Sequence, residues 1–450
     1  MTTTPIPKLI TRLAVPTIIS MMVTSIYNMA DTFFVGQIGT SATGAVGVSF
    51  ALMAIIQAIG FALGQGSGNY ISRLLGQQRY EYAEKVAATG FFTALGVGSL
   101  LLVGGELFLE PLVRLLGATE TILPYAKAYV GWILIGAPIM MASFVLNNLL
   151  RFQGSSFYAM VGIATGGILN IALDPLFIYT FGFGTAGAAM ATIISQAISF
   201  SILLRQTLLP QHIHVSIKNI TPKWAVYKEI LRGGLPSFYR QGLASISGIC
   251  LNFAAHPYGD AAIAAMSIIN RFFHFINSAL LGFGQGFQPV CGFNYGAKRF
   301  DRVLEGFWFC VRVGVIILVC LSVGTFILSP VIVPMFRNDP KVIEIGVTAM
   351  RIQSIVVPLN AWTILCNMLC QTIGKGTMAS ILAVCRQGVY YIPAILLLPN
   401  LFGLTGIQIA QPVSDILVFL TAIVIGLRVL KELKQNQAEV TVSAAGEAVK

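Results

Sequence analysis

One stretch of the sequence, residues 166–178, reads GGILNIALDPLFI. It places a carboxylate, Asp174, inside a run of hydrocarbon, where a charged side chain costs about 2.5 kcal/mol or more at the centre of a membrane helix. Asn170 lies four residues before Asp174, so the two side chains share one face of a helix. Pro175 has no amide proton to donate to the carbonyl of Ile171, which leaves another oxygen free in the same turn. Three oxygen groups on one buried face predict a site for a cation or a proton.

The composition of the whole chain is that of a polytopic membrane protein. Of its 450 residues, 56% are hydrophobic and 10% are charged, and the mean hydropathy is +0.80. Soluble domains carry about 25% charged residues. The net charge of +11 does not indicate a nucleic-acid partner, because the sequence has no basic-aromatic clusters and no zinc-ligand spacing. The seven cysteines lie mostly in apolar segments and are interpreted as small hydrophobic residues rather than disulfides.

Apolar runs of about 20 residues, long enough to cross a bilayer, recur along the chain. We predict an all-α protein with twelve transmembrane helices, near residues 11–35, 44–71, 87–112, 124–150, 157–181, 185–208, 230–255, 261–290, 306–336, 343–372, 378–400 and 405–430. They divide the chain into an N-lobe (1–209), a cytoplasmic connector (210–225), a C-lobe (226–432) and a disordered cytoplasmic tail (433–450).

The basic residues predict the orientation of the chain in the membrane. Lys and Arg concentrate in cytoplasmic loops. With the N-terminus inside, the inner loops and the tail hold most of them, whereas the outer loops hold only Arg114, Lys127, Arg337 and Lys341. We therefore predict a multi-pass protein of the inner or plasma membrane, with both termini in the cytoplasm.

The two halves of the chain form an internal repeat with an offset of 220 residues. Gly64-Gln65-Gly66 matches Gly284-Gln285-Gly286, and the offset also aligns the pairs Pro16 and Pro236, Gly76 and Gly296, Arg79 and Arg299, and Gly154 and Gly374. Six helices per half give both halves the same orientation. Such repeats form two pseudo-symmetric lobes around a central cavity and move against each other.

The buried charges do not follow this repeat. Asp31 aligns with Leu251, and Asp174 aligns with Ala394, so the predicted carboxylate site belongs to the N-lobe alone. The C-lobe instead carries five arginines in or near its apolar runs, with Asp415 as one candidate partner, at Arg240, Arg271, Arg312, Arg351 and Arg386. The scaffold is symmetric, but its polar residues are specialised.

Membrane depth groups residues from three predicted helices. Asp31 lies roughly 30 Å along the first helix, and Asp174 lies roughly 27 Å along the fifth. Thr192 lies about 10 Å from the outer end of the sixth. Asn170 shares the face of Asp174, as Asn28 shares that of Asp31. The predicted site of Asp31, Asn170, Asp174 and Thr192 offers only hard oxygen ligands, which suit Na⁺ or a proton rather than zinc or copper.

These motifs resemble those of the MATE (multidrug and toxin extrusion) transporters over all twelve helices. The resemblance rests on NMADTFFVG at residues 28–36, on Gly64-Gln65-Gly66, and on residues 170–175. It is closest to the DinF-type branch and, within it, to the MepA-like members. It implies the MATE fold and an N-lobe cation site at the four residues above. It also implies that the first helix bends when that site is protonated.

The resemblance does not extend to the C-lobe acids of the NorM branch, because the seventh helix offers Arg240 and Gln241, and the tenth offers Asn360, Asn367 and Gln371. Candidate cavity-lining residues are Asn28, Gln57, Gln65, Arg240, Gln241 and Gln285. The carboxylates and Asn170 have an alternative interpretation as structural hydrogen-bonding groups between helices.

The leading hypothesis is a monomeric secondary active multidrug exporter. It would move amphipathic organic cations by antiport with H⁺ or Na⁺ through Asp31 and Asp174, without a further cofactor. The same oxygen groups serve either ion, so the sequence leaves that choice open. An alternative is a flippase for lipids or lipid-linked oligosaccharides, because an arginine-rich C-lobe would suit an anionic headgroup. The sequence has no Ser/His pair, no HExxH motif and no nucleotide-binding loop, so an enzyme is not predicted.

Overall fold

The structure is built from long α-helices. The computed structural model describes residues 2–448, without the side chains of residues 32, 40, 43 and 443–448. The α-helices of this part of the chain are α1 (Ile6–Gly36), α2 (Thr40–Gly76), α3 (Tyr80–Leu107), α4 (Leu109–Leu115), α5 (Leu123–Phe152), α6 (Ser156–Pro175), α7 (Gly184–Thr207), α8 (Trp224–Ala255), α9 (Asp260–Gly296), α10 (Phe300–Phe336), α11 (Pro340–Val356), α12 (Leu359–Thr372), α13 (Gly376–Val384), α14 (Ile392–Phe402) and α15 (Leu404–Ala448). A π-helical segment continues α6 at Leu176–Thr180, and another joins α13 to α14 at Cys385–Tyr391.

These helices make twelve long passes, in agreement with the prediction. Within residues 2–448, nine helical spans are long and apolar enough to cross a membrane. The pair α11 and α12, bent by 55°, makes a tenth. The remaining two passes, α8 and α9, are 32 and 37 residues long. They are less apolar because polar side chains such as Arg240, Gln241, His274 and Gln285 interrupt them.

The repeat predicted from the sequence recurs as repeated contacts. In the first half, Asn147 donates its side-chain amide to the carbonyl oxygen of Ala159, at 3.1 Å. In the second half, Asn367 donates to the carbonyl oxygen of Ala379, at 2.6 Å. Both pairs are related by the offset of 220 residues. The two halves therefore form pseudo-symmetric six-pass lobes, as predicted.

The two lobes pack closely at one end of the bundle, called here the terminal end. At this end α1 begins and α15 extends out of the C-lobe. A Cβ atom on Gly76 would overlap the carbonyl oxygen of Phe293, and one on Gly296 would overlap that of Arg73. The two contacts are again related by 220 residues. Only glycine permits backbones to approach this closely, so the turns after α2 and α9 close against each other.

The same packing continues up to the middle of the bundle. Gly66 of α2 faces the backbone of Ile230 in α8, and a Cβ atom on Gly282 of α9 would lie 2.7 Å from the Cα atom of Ile18 in α1. Thr17 donates its hydroxyl to the carbonyl oxygen of Gly282, at 2.7 Å. The Gly-Gln-Gly motif therefore packs closely at Gly66, where it joins the lobes in their terminal halves.

The predicted disordered tail is wrong for most of its length. Residues 433–450 are expected to be disordered, but α15 is helical to Ala448, and residues 449–450 lie outside the described residues. Lys375 forms an ion pair with Glu432, which fixes the helix just before the tail. Because the helix is already nucleated, each further Ala, Glu, Lys or Gln extends it at little cost.

Candidate functional site

The predicted oxygen ligands of α6 and α7 lie together. Asn170 donates its side-chain amide to Asp174 Oδ1, at 3.3 Å, and to Thr192 Oγ1, at 3.3 Å. The Thr192 hydroxyl donates in turn to the carbonyl oxygen of Ala188, at 3.0 Å. All three predicted residues are buried, with Asp174 wholly inaccessible to solvent. One amide thus connects the carboxylate of α6 to the hydroxyl of α7.

Asp31 reaches this group from α1. A Cβ atom on Gly167 would lie 3.1 Å from the Tyr27 ring, so α1 crosses α6 one turn before Asn170. The two helices run in the same direction from the terminal end. Measured along α1 from this crossing, Asp31 lies about 6 Å beyond Tyr27. Measured along α6, Asn170 lies about 4.5 Å and Asp174 about 10.5 Å beyond Gly167. Asp31 is therefore between the levels of Asn170 and Asp174. The Asp31 and Asp174 carboxylates are close enough to interact electrostatically.

A hydrogen bond joins the far end of α1 to the π-helical segment that follows Pro175 in α6. Tyr179 lies in this segment and donates its hydroxyl to the carbonyl oxygen of Phe34, at 2.6 Å. A π-helix widens the turn and often marks a functional site. Here it follows a proline and directs Tyr179 toward the far end of α1.

Small residues allow α7 to approach α6 on its other side. Ser199 donates its hydroxyl to the carbonyl oxygen of Gly162, at 2.8 Å. A Cβ atom on Gly166 would lie 2.9 Å from the Cβ atom of Ser199. Glycines and serines of this kind let transmembrane backbones pack closely, which brings Thr192 within reach of Asn170.

Three oxygens in this group have no hydrogen-bond donor among the described residues. They are Asp31 Oδ1, Asn170 Oδ1 and Asp174 Oδ2, and all three atoms are buried. Buried polar groups are normally hydrogen-bonded, and two carboxylates near each other are not both stable as anions without a compensating charge. The residues therefore fit a proton or a small hard cation such as Na⁺. The described residues contain no cluster of three or more His, Cys, Asp or Glu side chains that suits a transition metal.

Tyr129 of α5 is a member of the site that the sequence analysis missed. It is fully buried, and both Asp31 and Asp174 interact with it electrostatically. Its hydroxyl lies 3.7 Å from Met53 Sδ. An aromatic residue in an apolar run carries no sequence signal for such a role. The depth argument that located Thr192 would have supplied one if it had been applied to the fourth predicted helix.

The six predicted cavity-lining residues are not all equivalent. Gln65 and Gln285 are buried, and Gln285 accepts a hydrogen bond from Arg151 across the lobe interface. Asn28, Gln57, Arg240 and Gln241 are partly buried. The six thus differ in burial, and Arg151, a fully buried arginine that the sequence analysis did not select, lies beside Gln285 at the lobe interface.

The arginines of the C-lobe have different surroundings. Arg386 forms the predicted ion pair with Asp415, at 3.4 Å, and Arg351 donates to the Ser329 hydroxyl, at 3.1 Å. Arg271 and Arg312 are exposed. Arg240 alone among the five is partly buried without a hydrogen bond or an ion pair to any described residue.

The chain matches known proteins over nearly its whole length. The family model MatE matches residues 16–176 and 236–397. Multidrug export protein MepA of Staphylococcus aureus (strain NCTC 8325 / PS 47) is 28% identical over 427 residues, which cover 94% of this chain and 93% of that protein. MepA of Staphylococcus saprophyticus is 27% identical over 430 residues, which cover 95% and 94%.

A similar solved structure is described as the outward-facing conformation of a multidrug resistance MATE family transporter of the MOP superfamily. It superposes with a TM-score of 0.91 at 26% identity, and the match covers 96% of this chain and 97% of that one.

Proposed function

Because this chain belongs to the MATE family of multidrug export transporters, we propose that it exports amphipathic organic cations by antiport with H⁺ or Na⁺. The observation that carries the proposal is the set of buried, unpaired oxygens of Asp31, Asn170 and Asp174. A transporter that uses an ion gradient needs a site that is stable only when an ion or a proton is bound. These oxygens provide such a site.

Each residue has a separate role in this mechanism. Asn170 donates to Asp174 Oδ1 and leaves Oδ2 to take the proton or ligate the ion. Asp31 supplies the second carboxylate from α1, so its charge couples the site to the position of that helix. Thr192 holds the Asn170 amide. When the ion or proton binds, the mutual repulsion of the carboxylates falls and α1 can move closer to α6.

The described conformation has the lobes packed at the terminal end, which we propose to be cytoplasmic. The cavity would then open to the outside, as in the similar transporter described as outward-facing. An external ion would enter at this stage and displace the substrate. The lobes would then close at the far end and separate at the terminal end. The cavity, with the ion bound, would open to the cytoplasm, where the next substrate binds.

The experiment is dye uptake into proteoliposomes with the protein in inverted orientation. A fluorescent cationic dye is supplied outside, and either a Na⁺ gradient or a pH gradient is imposed. We expect one gradient to drive uptake, which identifies the ion, and we expect Asp174→Asn to abolish gradient-driven uptake. The matched control Asp260→Asn removes an exposed carboxylate at the start of α9 and should retain uptake. Wild-type rates in Asp174→Asn would contradict the proposal.

The flippase alternative has less support from the arrangement of the arginines. It required several C-lobe arginines to line the cavity together. Arg386 is instead paired with Asp415 and Arg351 donates to the Ser329 hydroxyl, and of the five arginines only Arg240 is both partly buried and without a partner among the described residues. Translocation of a fluorescent phospholipid in the same vesicles, without dye transport under either gradient, would restore this alternative.

A further inference from the structure

Arg240 carries a positive charge that no acidic residue of the described chain compensates. It lies in the middle of α8 and is only partly exposed. An arginine remains protonated in proteins, and partial burial of an unpaired charge is costly. Arginines in such positions normally pair with a carboxylate, as Arg386 does with Asp415.

The surroundings of Arg240 follow from the face of α8 on which it lies. Ser247, two turns further along, donates its hydroxyl to the carbonyl oxygen of Gln387 in the π-helical segment, at 3.2 Å. Leu243 lies between them and would contact a Cβ atom on Gly388, at 3.2 Å. Arg240 therefore shares the side of α8 that faces this segment, about 10 Å closer to the terminal end than Ser247.

Two further arginines lie around this position. The charges of Arg386 and Arg151 are both close enough to repel that of Arg240. The charge of Arg386 is balanced by Asp415, but Arg151 has no carboxylate partner in the described chain. Arg151 is 1% exposed, donates to Gln285 and, at 2.5 Å, to Asn148 Oδ1, and keeps a buried Nε without an acceptor.

This region therefore holds two cations, Arg151 and Arg240, that no anion of the described residues compensates. We infer that Arg240 receives a carboxylate or phosphate group of an amphipathic ligand in the central cavity, with Arg151 adding to the local positive potential. The inference rests on the proposed function, since it names a chemical feature of the transported compounds. A guanidinium binds such groups through two parallel hydrogen bonds. Compounds with both a cationic and an anionic group would match the acidic N-lobe and this basic position together.

The test compares two dyes that differ in one charged group. Rhodamine B carries a free carboxylate, whereas in its ethyl ester that group is neutral. Binding of each is measured by fluorescence polarisation to the full-length protein in phosphatidylcholine nanodiscs, without an ion gradient. We expect Arg240→Gln to weaken rhodamine B binding at least about ten-fold, because a hydrogen bond to a charged group is lost, and to change binding of the ester less than about two-fold.

The control variant is Arg337→Gln, which removes an exposed arginine of the same lobe just after the end of α10 and should alter neither affinity. Arg240→Lys keeps the charge without the planar fork and should show an intermediate loss for rhodamine B. Thermal unfolding supplies a second measurement. If Arg240 were a structural residue, Arg240→Gln would lower the melting temperature and weaken both dyes equally, which would overturn the inference. We expect an unchanged or raised melting temperature.

Nanodiscs that contain phosphatidylglycerol distinguish the source of the anionic group. If this lipid weakens rhodamine B binding in the wild type but not in Arg240→Gln, the site accepts a lipid headgroup. If it does not, the site accepts a soluble compound. Equal affinity of wild type and Arg240→Gln for rhodamine B would overturn the inference, even if cationic dye is still exported under a gradient. Selective binding of rhodamine B without gradient-driven transport would instead sustain the site and contradict the proposed antiport.

Discussion

A single methyl group at Gly282 should open the terminal end of the transporter. In Gly282→Ala, the new Cβ atom would lie 2.7 Å from the Cα atom of Ile18 in the opposite lobe, whereas ordinary contacts begin at 3.4 Å. The backbones of α1 and α9 must therefore separate by about 0.7 Å or strain elsewhere, at a typical overpacking cost of about 1–3 kcal/mol. That cost is absent when the lobes part at this end. The open population should rise by about 5- to 150-fold.

A native cysteine reports this opening. Cys291 is fully buried in the cluster that α9 forms with α1, whereas Cys320 is exposed. Labelling by N-ethylmaleimide, resolved by peptide mass spectrometry, should become faster at Cys291 in Gly282→Ala and remain unchanged at Cys320. The matched variant Gly248→Ala adds the same methyl group to α8, where nothing lies within 4 Å, and controls for helix propensity. Equal Cys291 labelling in both variants would refute the packing argument.

Three further variants test the remaining contacts. Asp415→Asn leaves Arg386 without its carboxylate in a buried position, so thermal or denaturant unfolding should show a loss of about 3 kcal/mol, and an unchanged stability would contradict the ion pair. Tyr179→Phe removes the donor to the Phe34 carbonyl and should cost about 1 kcal/mol, measured by the same unfolding assay against wild type. Asn170→Ala removes the amide that joins α6 to α7, so gradient-driven export should fall sharply while dye binding without a gradient persists; full export would refute its role in coupling.

The sequence was most informative where residues interact along one helix. The four-residue spacing of Asn170 and Asp174 predicted a contact that the structure contains. Estimated depth then joined Thr192 and Asp31 to it from other helices, because a transmembrane helix rises by a constant amount per residue. The 220-residue offset aligned Gly76 with Gly296, and the structure has paired backbone contacts at these positions because each half repeats the same geometry.

The sequence was less informative where a property depends on tertiary surroundings. Tyr129 carries no polar pattern, and only packing places it beside the two carboxylates. Arg240 is likewise unpaired because no acidic residue of the described chain reaches it in the folded structure. The tail after residue 432 was predicted to be disordered from its polar composition, but as far as Ala448 it continues the helix α15.

Part of the closing surface of the two lobes consists of main chain. At Gly76, Gly296, Gly66 and Gly282, a glycine of one lobe meets backbone atoms of the other. Contacts of this kind do not depend on the side chains that line the cavity. Substitutions that change which compounds bind can therefore accumulate without altering how the transporter seals. A duplicated scaffold built in this way can diversify its substrate range while its alternating motion is inherited unchanged.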